Sequence, residues 1–199
     1  MSKLAEVRKT AAYYFTRPAV DLLAKTSITP NTLTWFSFLL SIGAAALIIT
    51  EHLFIAGLLV LIAGLFDMLD GALARRTNRV TRFGAILDST IDRLFEAVLL
   101  LSILTIYARE QSVLGILLVS IALPSSLVVS YIRAKAEALG LECEVGLFTR
   151  GERVSVLALG LLLSQINYAL TIALSVIVLF SLFTAGHRLL HVWHQTKLN

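Results

Sequence analysis

Six apolar stretches, each close to the length of about 20 residues that crosses a bilayer as a helix, constrain the fold of this chain most strongly. They cover residues 31–50, 53–76, 84–108, 112–139, 150–165 and 168–190. Lipid offers no hydrogen-bond partner to backbone N–H and C=O groups, so apolar stretches of this length are typical of membrane-spanning helices. Hydrophobic residues make up 57% of the 199 residues, which excludes a soluble globular domain. The sequence therefore predicts an all-α, polytopic membrane bundle of six transmembrane helices.

The segment before the first apolar stretch has a different pattern. Apolar residues recur there at helical spacing with basic residues at other positions, and the apolar ones are Leu4, Val7, Ala11, Tyr14 and Phe15. This pattern predicts an interfacial amphipathic helix over residues 1–27, lying on an anionic leaflet. Thr29 and Pro30 are typical of the N-cap and first residue of the next helix. Because the sequence has no linker or repeat, we expect one membrane domain over residues 1–199, with the helical bundle over residues 28–199.

The basic residues predict the orientation of the chain in the membrane. If both termini lie in the cytoplasm, every Lys and Arg except Arg93 and Arg109 lies on the cytoplasmic side. We therefore expect a multi-pass protein of the cell membrane with cytoplasmic termini. The formal net charge of +4 is also compatible with nucleic-acid binding. In a membrane protein a positive cytoplasmic face explains that charge, so no nucleic-acid partner is predicted.

Four aspartates interrupt the second and third apolar stretches: Asp67, Asp70, Asp88 and Asp92. A carboxylate at membrane depth costs about 2.5 to 3.5 kcal/mol on insertion scales, so these groups need a neutralising partner. The first two are three residues apart and the last two are four apart, so each pair projects from one helix face. Carboxylate oxygens without nearby His or Cys favour Mg2+, Mn2+ or Ca2+ over zinc. We predict that the four aspartates bind a pair of such divalent metal ions.

The residues between these aspartates indicate the ligand. Gly71, Ala74 and Gly84 are small and leave room for a ligand or a neighbouring backbone. Arg75 offers a guanidinium that matches phosphate oxygens. Metal ions beside a guanidinium favour a diphosphate substrate. The alternative is a structural cluster in which the carboxylates pair with nearby arginines, which are Arg75, Arg76, Arg79, Arg82 and Arg93. Such pairing would not require the small residues.

A second group of basic residues surrounds the break between the fourth and fifth stretches. It consists of Arg133, Lys135, Arg150 and Arg153. Four cations at one cytoplasmic mouth could bind the phosphate of a second substrate by charge-assisted hydrogen bonds. The general excess of basic residues on the cytoplasmic side is the alternative explanation. Glu152 follows Thr149 at the spacing of a helix capping box, so we interpret it as a cap and not as a catalytic acid.

The stretch from Asp67 to Asp92 resembles the signature of the CDP-alcohol phosphotransferase family, D-x2-D-G-x2-A-R-x8-G-x3-D-x3-D. All eight fixed positions are filled, by Asp67, Asp70, Gly71, Ala74, Arg75, Gly84, Asp88 and Asp92. The resemblance implies a homodimer with a divalent-metal active site facing the cytoplasm. It implies that Asp92 acts as general base and also as a metal ligand. It further implies a CDP-binding set, formed by Asn31, Thr34, Asp70, Gly71, Ala74 and Arg75.

The segments GAILDSTIDR, SYIRAKAEALGL and R-x-E-R are similar to the inositol-phosphate branch of that family. This branch implies that the acceptor phosphate is held by basic residues, which here are Arg133, Lys135, Arg150, Arg153 and Arg188. Gly151 stands where the branch usually has Pro. The expected reaction transfers the phosphatidyl-type group of CDP-diacylglycerol or CDP-archaeol to inositol 1-phosphate and releases CMP.

Several alternatives remain open at the level of the sequence. Glycerol 3-phosphate could replace inositol 1-phosphate as the acceptor, and CDP-inositol could replace the CDP-lipid as the donor. Serine is disfavoured as an acceptor because it has no phosphate for the basic group. A cation transporter with intramembrane aspartates is an alternative of another class, but beyond the four aspartates the spans offer only Glu96 to a transport path. A membrane scaffold would leave the eight-position signature unexplained.

Overall fold

The computed structural model describes residues 16–143, 145–146 and 148–197, and within these ranges the chain is helical with no strand. Residues 16–23 form a short helix, α1. Six longer helices follow: α2 Pro30–Ile49, α3 Leu53–Arg76, α4 Arg82–Arg109, α5 Val113–Ala138, α6 Arg150–Leu162 and α7 Ala169–Lys197. The predicted all-α class is confirmed. Most of the predicted amphipathic segment, including Leu4, Val7, Ala11, Tyr14 and Phe15, lies outside the described residues.

Side-chain caps begin several helices of the bundle, among them α2, α4 and α6. Thr29 Oγ1 accepts a hydrogen bond from the Thr32 backbone N–H at 3.3 Å, and Pro30 is the first residue of α2, as predicted. Thr81 Oγ1 accepts from Gly84 N at 2.9 Å at the start of α4. At the start of α6 the Glu152 carboxylate accepts from Thr149 N at 2.8 Å, which confirms the predicted capping role of Glu152.

Four helices, α2, α3, α5 and α7, are long and apolar enough to cross a membrane. The chain is therefore a multi-pass membrane protein. Among the described residues, the helices of the other two predicted spans, α4 and α6, do not have the length and apolarity of a membrane span, for different reasons. Helix α4 carries the charged residues Asp88, Asp92, Arg93 and Glu96, and α6 has only 13 residues.

The short helix α6 packs against α3 and α7, and this contact positions the functional site. Two glycines allow the close approach. A Cβ on Gly57 of α3 would lie 2.9 Å from Leu162 Cγ and 3.0 Å from its backbone N, and a Cβ on Gly160 would lie 2.6 Å from Ala173 Cβ. Helix α4 packs against α2 and α5. The N-terminus of α6, with Arg150 and Arg153, is thereby held against the carboxylates of α3 and α4.

The described residues of α1 pack on the opposite side of the carboxylate cluster. Val20 is buried and joins Leu33 of α2 and Leu73 of α3 in a small apolar cluster. Asp21 forms an ion pair with Arg76 at the end of α3, with Oδ1 3.1 Å from Nε. Helix α1 therefore covers the ends of α2 and α3 next to the aspartates.

Candidate active site

Three of the four predicted metal ligands converge. Asp67 and Asp70 project from α3 and Asp88 from α4, and one carboxylate oxygen of each lies within 4.8 Å of the other two. Oxygens on opposite sides of a Mg2+ ion bound at about 2.1 Å are about 4.2 Å apart, so this spacing suits a hard divalent cation. Asp67 Oδ1 is also buried without a hydrogen-bond partner in the described part of the chain. The donor set and this free oxygen fit a divalent metal ion.

Asp70 is fixed from behind by two hydrogen bonds. Thr34 Oγ1 donates to Asp70 Oδ2 at 2.5 Å, and the backbone N–H of Gly71 donates to Oδ1. Asp70 is buried, as is Thr34 on α2. Residues that bond to metal ligands in this way orient them and tune their affinity. Thr34, which the resemblance implied for the nucleotide site, therefore contacts a predicted metal ligand in the structure.

Asp92 is joined to this group through an arginine. Arg150 Nη1 donates a hydrogen bond to Asp67 Oδ2 and lies 2.9 Å from Asp92 Oδ1. The guanidinium also lies over the Phe95 ring, 5.0 Å from its centroid. The arginines proposed for a structural salt-bridge cluster do not form such contacts: among the described residues Arg150 is the one cation that pairs with any of the four aspartates. The cation that pairs with the aspartates therefore belongs to the second group of basic residues, around the break before α6.

A cavity of about 1150 Å3 opens on the α1 side of the carboxylates. All four aspartates line it, together with Gly71, Arg75 and residues of α1. A Cβ on Gly71 would lie 3.4 Å from Arg75 Nη1, so glycine keeps the space beside this guanidinium open. Of the predicted CDP-binding residues, Asp70, Gly71 and Arg75 line this cavity, whereas Asn31, Thr34 and Ala74 lie outside its described lining. Asn31 instead lies beside Gly84, with Oδ1 3.4 Å from the position of an added Cβ.

A second cavity of about 390 Å3 lies on the other side of Arg150. It contains four of the five predicted acceptor-binding residues, which are Arg133, Arg150, Arg153 and Arg188. Lys135, the fifth, is exposed on α5 and is absent from the described lining. The five arginines of the lining, including Arg93, give the cavity an excess of positive charge over its carboxylates. Such a cavity can bind an anionic substrate.

Two of these arginines are held by buried contacts. Arg188 donates from Nε to Val145 O at 2.8 Å and from Nη1 to Val129 O at 2.6 Å, which connects α7 to α5 and to the loop before α6. Arg153 donates from Nε to Glu96 Oε1 at 2.6 Å and from Nη2 to Glu96 Oε2 at 2.9 Å. On the more exposed rim, Arg133 pairs with Glu137 at 2.8 Å.

Sequence analysis did not assign Glu96, Glu137 or Arg93 to this cavity. A signal for Glu96 was present, because it follows Asp92 by four residues and must lie on the same face of α4. The cavities meet at Asp88 and Asp92, which line both of them. The arrangement can therefore hold a metal-bound anion on one side and a second anion on the other, with carboxylates between them.

Comparison with known proteins agrees with this arrangement. The sequence model of the CDP-alcohol phosphatidyltransferase family matches residues 27–185. An archaetidylinositol phosphate synthase from Methanothermobacter thermautotrophicus is 36% identical over 185 residues, which cover 92% of this chain and 91% of the relative. A phosphatidylinositol phosphate synthase from Corynebacterium glutamicum is 36% identical over 183 residues, which cover 89% of this chain and 84% of the relative.

Solved structures give the same family. The crystal structure of phosphatidylinositol phosphate synthase from Mycobacterium tuberculosis with CDP-DAG bound has a TM-score of 0.81 at 33% identity, covering 89% of this chain and 93% of that one. The same enzyme in complex with manganese and citrate has a TM-score of 0.80 at 34% identity, covering 89% of this chain and 88% of that one. The resemblance found in the Asp67–Asp92 stretch is thus confirmed, and the chain belongs to the CDP-alcohol phosphatidyltransferase family.

Proposed function

We propose that this protein transfers the phosphatidyl-type group of a CDP-activated lipid, CDP-diacylglycerol or CDP-archaeol, to inositol 1-phosphate and releases CMP. The observation that carries the proposal is the meeting of two cavities at Asp88 and Asp92, one lined by the aspartates and the other by arginines. The relatives named as phosphatidylinositol and archaetidylinositol phosphate synthases support the choice of acceptor.

The larger cavity is the proposed donor site. Asp67, Asp70 and Asp88, with Asp92, would hold two divalent ions, Mg2+ or Mn2+, and such ions neutralise the charge that develops on a diphosphate when its bridging bond breaks. Arg75 contacts the donor phosphates and Gly71 leaves space for the nucleotide, whereas Ala74 lies outside the described lining of this cavity. Thr34 keeps Asp70 in its orientation, and Asn31 lies beside Gly84 outside the described lining. The apolar chains of the donor remain in the bilayer.

Asp92 is the proposed general base because it lines both cavities and, unlike Asp88, is not one of the three aspartates whose oxygens converge. It removes the proton from the acceptor hydroxyl as that oxygen attacks the β-phosphorus of the donor. The new O–P bond forms on the acceptor, the P–O–P bridge breaks, and CMP leaves with the bridging oxygen. The acceptor phosphate is held in the smaller cavity by Arg133, Arg150, Arg153 and Arg188. Lys135, on the exposed face of α5, would act only outside that cavity.

A CMP-release assay on the purified protein tests this proposal. CDP-lipid is offered with inositol 1-phosphate, inositol, glycerol 3-phosphate or serine, and we expect CMP release with inositol 1-phosphate. Chelation of divalent ions should abolish the release, and added Mg2+ or Mn2+ should restore it. Metal-independent turnover contradicts the proposed donor site. Preferential use of glycerol 3-phosphate would keep the chemistry and change the acceptor, and turnover of CDP-inositol in place of CDP-lipid would change the donor.

We also propose that α4 and α6 complete a six-span bundle, preceded by an interfacial helix over residues 1–27, within one domain of residues 1–199. Helix α4 has 28 residues and a length of about 42 Å, enough to cross a bilayer. Glu96 is buried inside the protein, away from lipid. The positions of Arg75, Arg82 and Arg133 near helix ends support an active site facing the cytoplasm, with both termini on that side. The family resemblance supports a homodimer in the cell membrane.

A further inference from the structure

We propose that Glu96 is a positioning residue that fixes Arg153 in the orientation required to bind the acceptor phosphate. This inference rests on the proposed function of the smaller cavity. Glu96 itself does not contact the reacting atoms in this proposal. It acts through Arg153, and it determines how far from Asp92 the acceptor phosphate is held.

The contact between the two side chains is bidentate and buried. Two of the three guanidinium nitrogens of Arg153 donate to the two carboxylate oxygens of Glu96, at 2.6 and 2.9 Å. Arg153 is 1% exposed and Glu96 is 8% exposed. Because paired planar groups of this kind fix both distance and angle, Arg153 has little freedom to rotate.

The third nitrogen remains available to a ligand. Arg153 Nη1 is buried and has no hydrogen-bond partner among the residues that the structure describes. Both Arg153 and Glu96 line the 390 Å3 cavity. A buried N–H without a partner is costly, and an anion in the cavity would supply that partner. The pair therefore leaves one charged donor group of Arg153 for the substrate.

The position of Glu96 on α4 relates this donor group to the reaction centre. Asp88, Asp92 and Glu96 follow one another at intervals of four residues, so they lie along one face of the helix with a rise of about 6 Å between neighbours. One helix face thus carries a metal ligand, the proposed base and the anchor of an acceptor-binding arginine. In this proposal the spacing of Asp92 and Glu96 along the rigid helix α4 matches the distance between the hydroxyl and the phosphate of the acceptor.

Mutation of a purely structural ion pair would change different measured properties. A buried Arg–Glu pair contributes little net stability compared with apolar residues of similar volume, so stability alone is a weak reason for its presence. If the pair only stabilised the bundle, its loss would lower the unfolding temperature and affect both substrates alike. If Glu96 positions Arg153, its loss must affect the acceptor selectively.

The test compares Glu96→Gln with Glu110→Gln, the same change at the exposed C-cap residue that follows the last residue of α4. Gln keeps one acceptor oxygen but presents N–H to the other donating nitrogen of Arg153, so the bidentate contact is lost and the guanidinium must shift. We expect the KM for inositol 1-phosphate to rise about tenfold or more in Glu96→Gln. The KM for CDP-lipid should stay within about twofold, and Glu110→Gln should match the unmodified protein.

Inorganic phosphate serves as an independent probe of the same contact. Its inhibition of CMP release, measured as a competitor of the acceptor, should weaken in Glu96→Gln by a factor similar to the rise in KM. Glu96→Asp keeps the charge and should recover part of the acceptor affinity. If Glu96→Gln does not fold, as judged by thermal unfolding in detergent, Glu96→Asp is compared with Glu110→Gln in the same assays and should show a smaller acceptor-specific rise.

The outcomes separate this inference from the proposed function. Equal changes in the KM of both substrates, a change in kcat alone, or unaltered inhibition by inorganic phosphate would overturn the positioning role of Glu96. An unmodified protein that releases no CMP with inositol 1-phosphate would instead contradict the proposed function. A selective change for the acceptor and for inorganic phosphate supports both.

Discussion

At the scale of single residues, Asp92 has the most specific role, because it is the aspartate that lines both cavities and pairs with Arg150. We expect Asp92→Asn to reduce kcat for CMP release by about 100-fold to 10,000-fold, since an amide cannot accept the proton of the acceptor hydroxyl. Binding of CDP-lipid should be largely kept, because Asp67, Asp70 and Asp88 remain. Steady-state assays and direct binding of CDP-lipid measure the two effects. Turnover near that of the unmodified protein would exclude Asp92 as the base.

Thr34 gives a second prediction at this scale, concerning metal affinity. Thr34→Val removes the 2.5 Å hydrogen bond to Asp70 with almost no change in side-chain shape. The Mn2+ concentration for half-maximal CMP release should rise about 10-fold to 100-fold, as is typical when a residue supporting a metal ligand is lost. Thr32→Val is the matched control, because Thr32 lies two residues away on α2 and bonds to Thr29 at the surface. Equal metal dependence in the two variants would show that the bond to Asp70 has no role in metal binding.

The site residues differ in how far the sequence could predict them. Spacing alone predicts that each pair of aspartates shares one helix face, because residues three or four apart do so. The same rule shows why Lys135 does not join Arg133 in the smaller cavity, since residues two apart on a helix point in different directions. The contact of Arg150 with Asp67 could not be predicted, because the two residues are 83 positions apart and meet only through the packing of α6 on α3.

At the scale of helices, the hydrophobic pattern predicted most boundaries to within two or three residues. The predicted stretch 53–76 coincides with α3, Leu53–Arg76, and the stretch 112–139 nearly coincides with α5, Val113–Ala138. The largest difference is at α7, which continues seven residues beyond the predicted end at 190, to Lys197. Apolarity marks the part of a helix that suits lipid, whereas a helix itself continues through polar residues that keep its backbone hydrogen bonds.

The start of α5 provides a prediction about stability. A Cβ on Gly115 would lie 2.3 Å from two ring atoms of Tyr107, whereas a Cβ on Gly186 of α7 would meet nothing within 4 Å. Tyr107 cannot turn aside freely, because its hydroxyl is 3.0 Å from Thr171 Oγ1. Gly115→Ala should therefore lower the free energy of unfolding by about 1 to 3 kcal/mol. Gly186→Ala should leave it unchanged or raise it by up to about 1 kcal/mol.

Thermal unfolding in detergent, with both variants prepared alike, measures this difference. The comparison controls for the general effect of replacing glycine by alanine within a helix, so only the contact with Tyr107 distinguishes the two variants. A Gly115→Ala protein as stable as Gly186→Ala would mean that α4 and α5 can separate at this point without cost.

At the scale of the whole molecule, the proposed orientation can be tested at the two ends of α5. Val113 and Leu139 are 70% and 64% exposed, so cysteines at these positions should be similarly reactive. In intact cells a membrane-impermeant maleimide should label Val113→Cys, and Leu139→Cys should react only after permeabilisation. The native Cys143 is buried, and burial raises the pKa of its thiol, so it contributes a small thiolate fraction and little background at neutral pH. The reverse labelling pattern would invert the proposed topology.

The two cavities that share Asp88 and Asp92 also have a kinetic consequence. If each substrate occupies one cavity, as proposed, both can be bound at once and the group can pass directly from one to the other. No covalent enzyme intermediate is then needed, and CMP does not have to leave before the acceptor binds. Double-reciprocal plots at several fixed concentrations of the second substrate should intersect, where a ping-pong enzyme would give parallel lines.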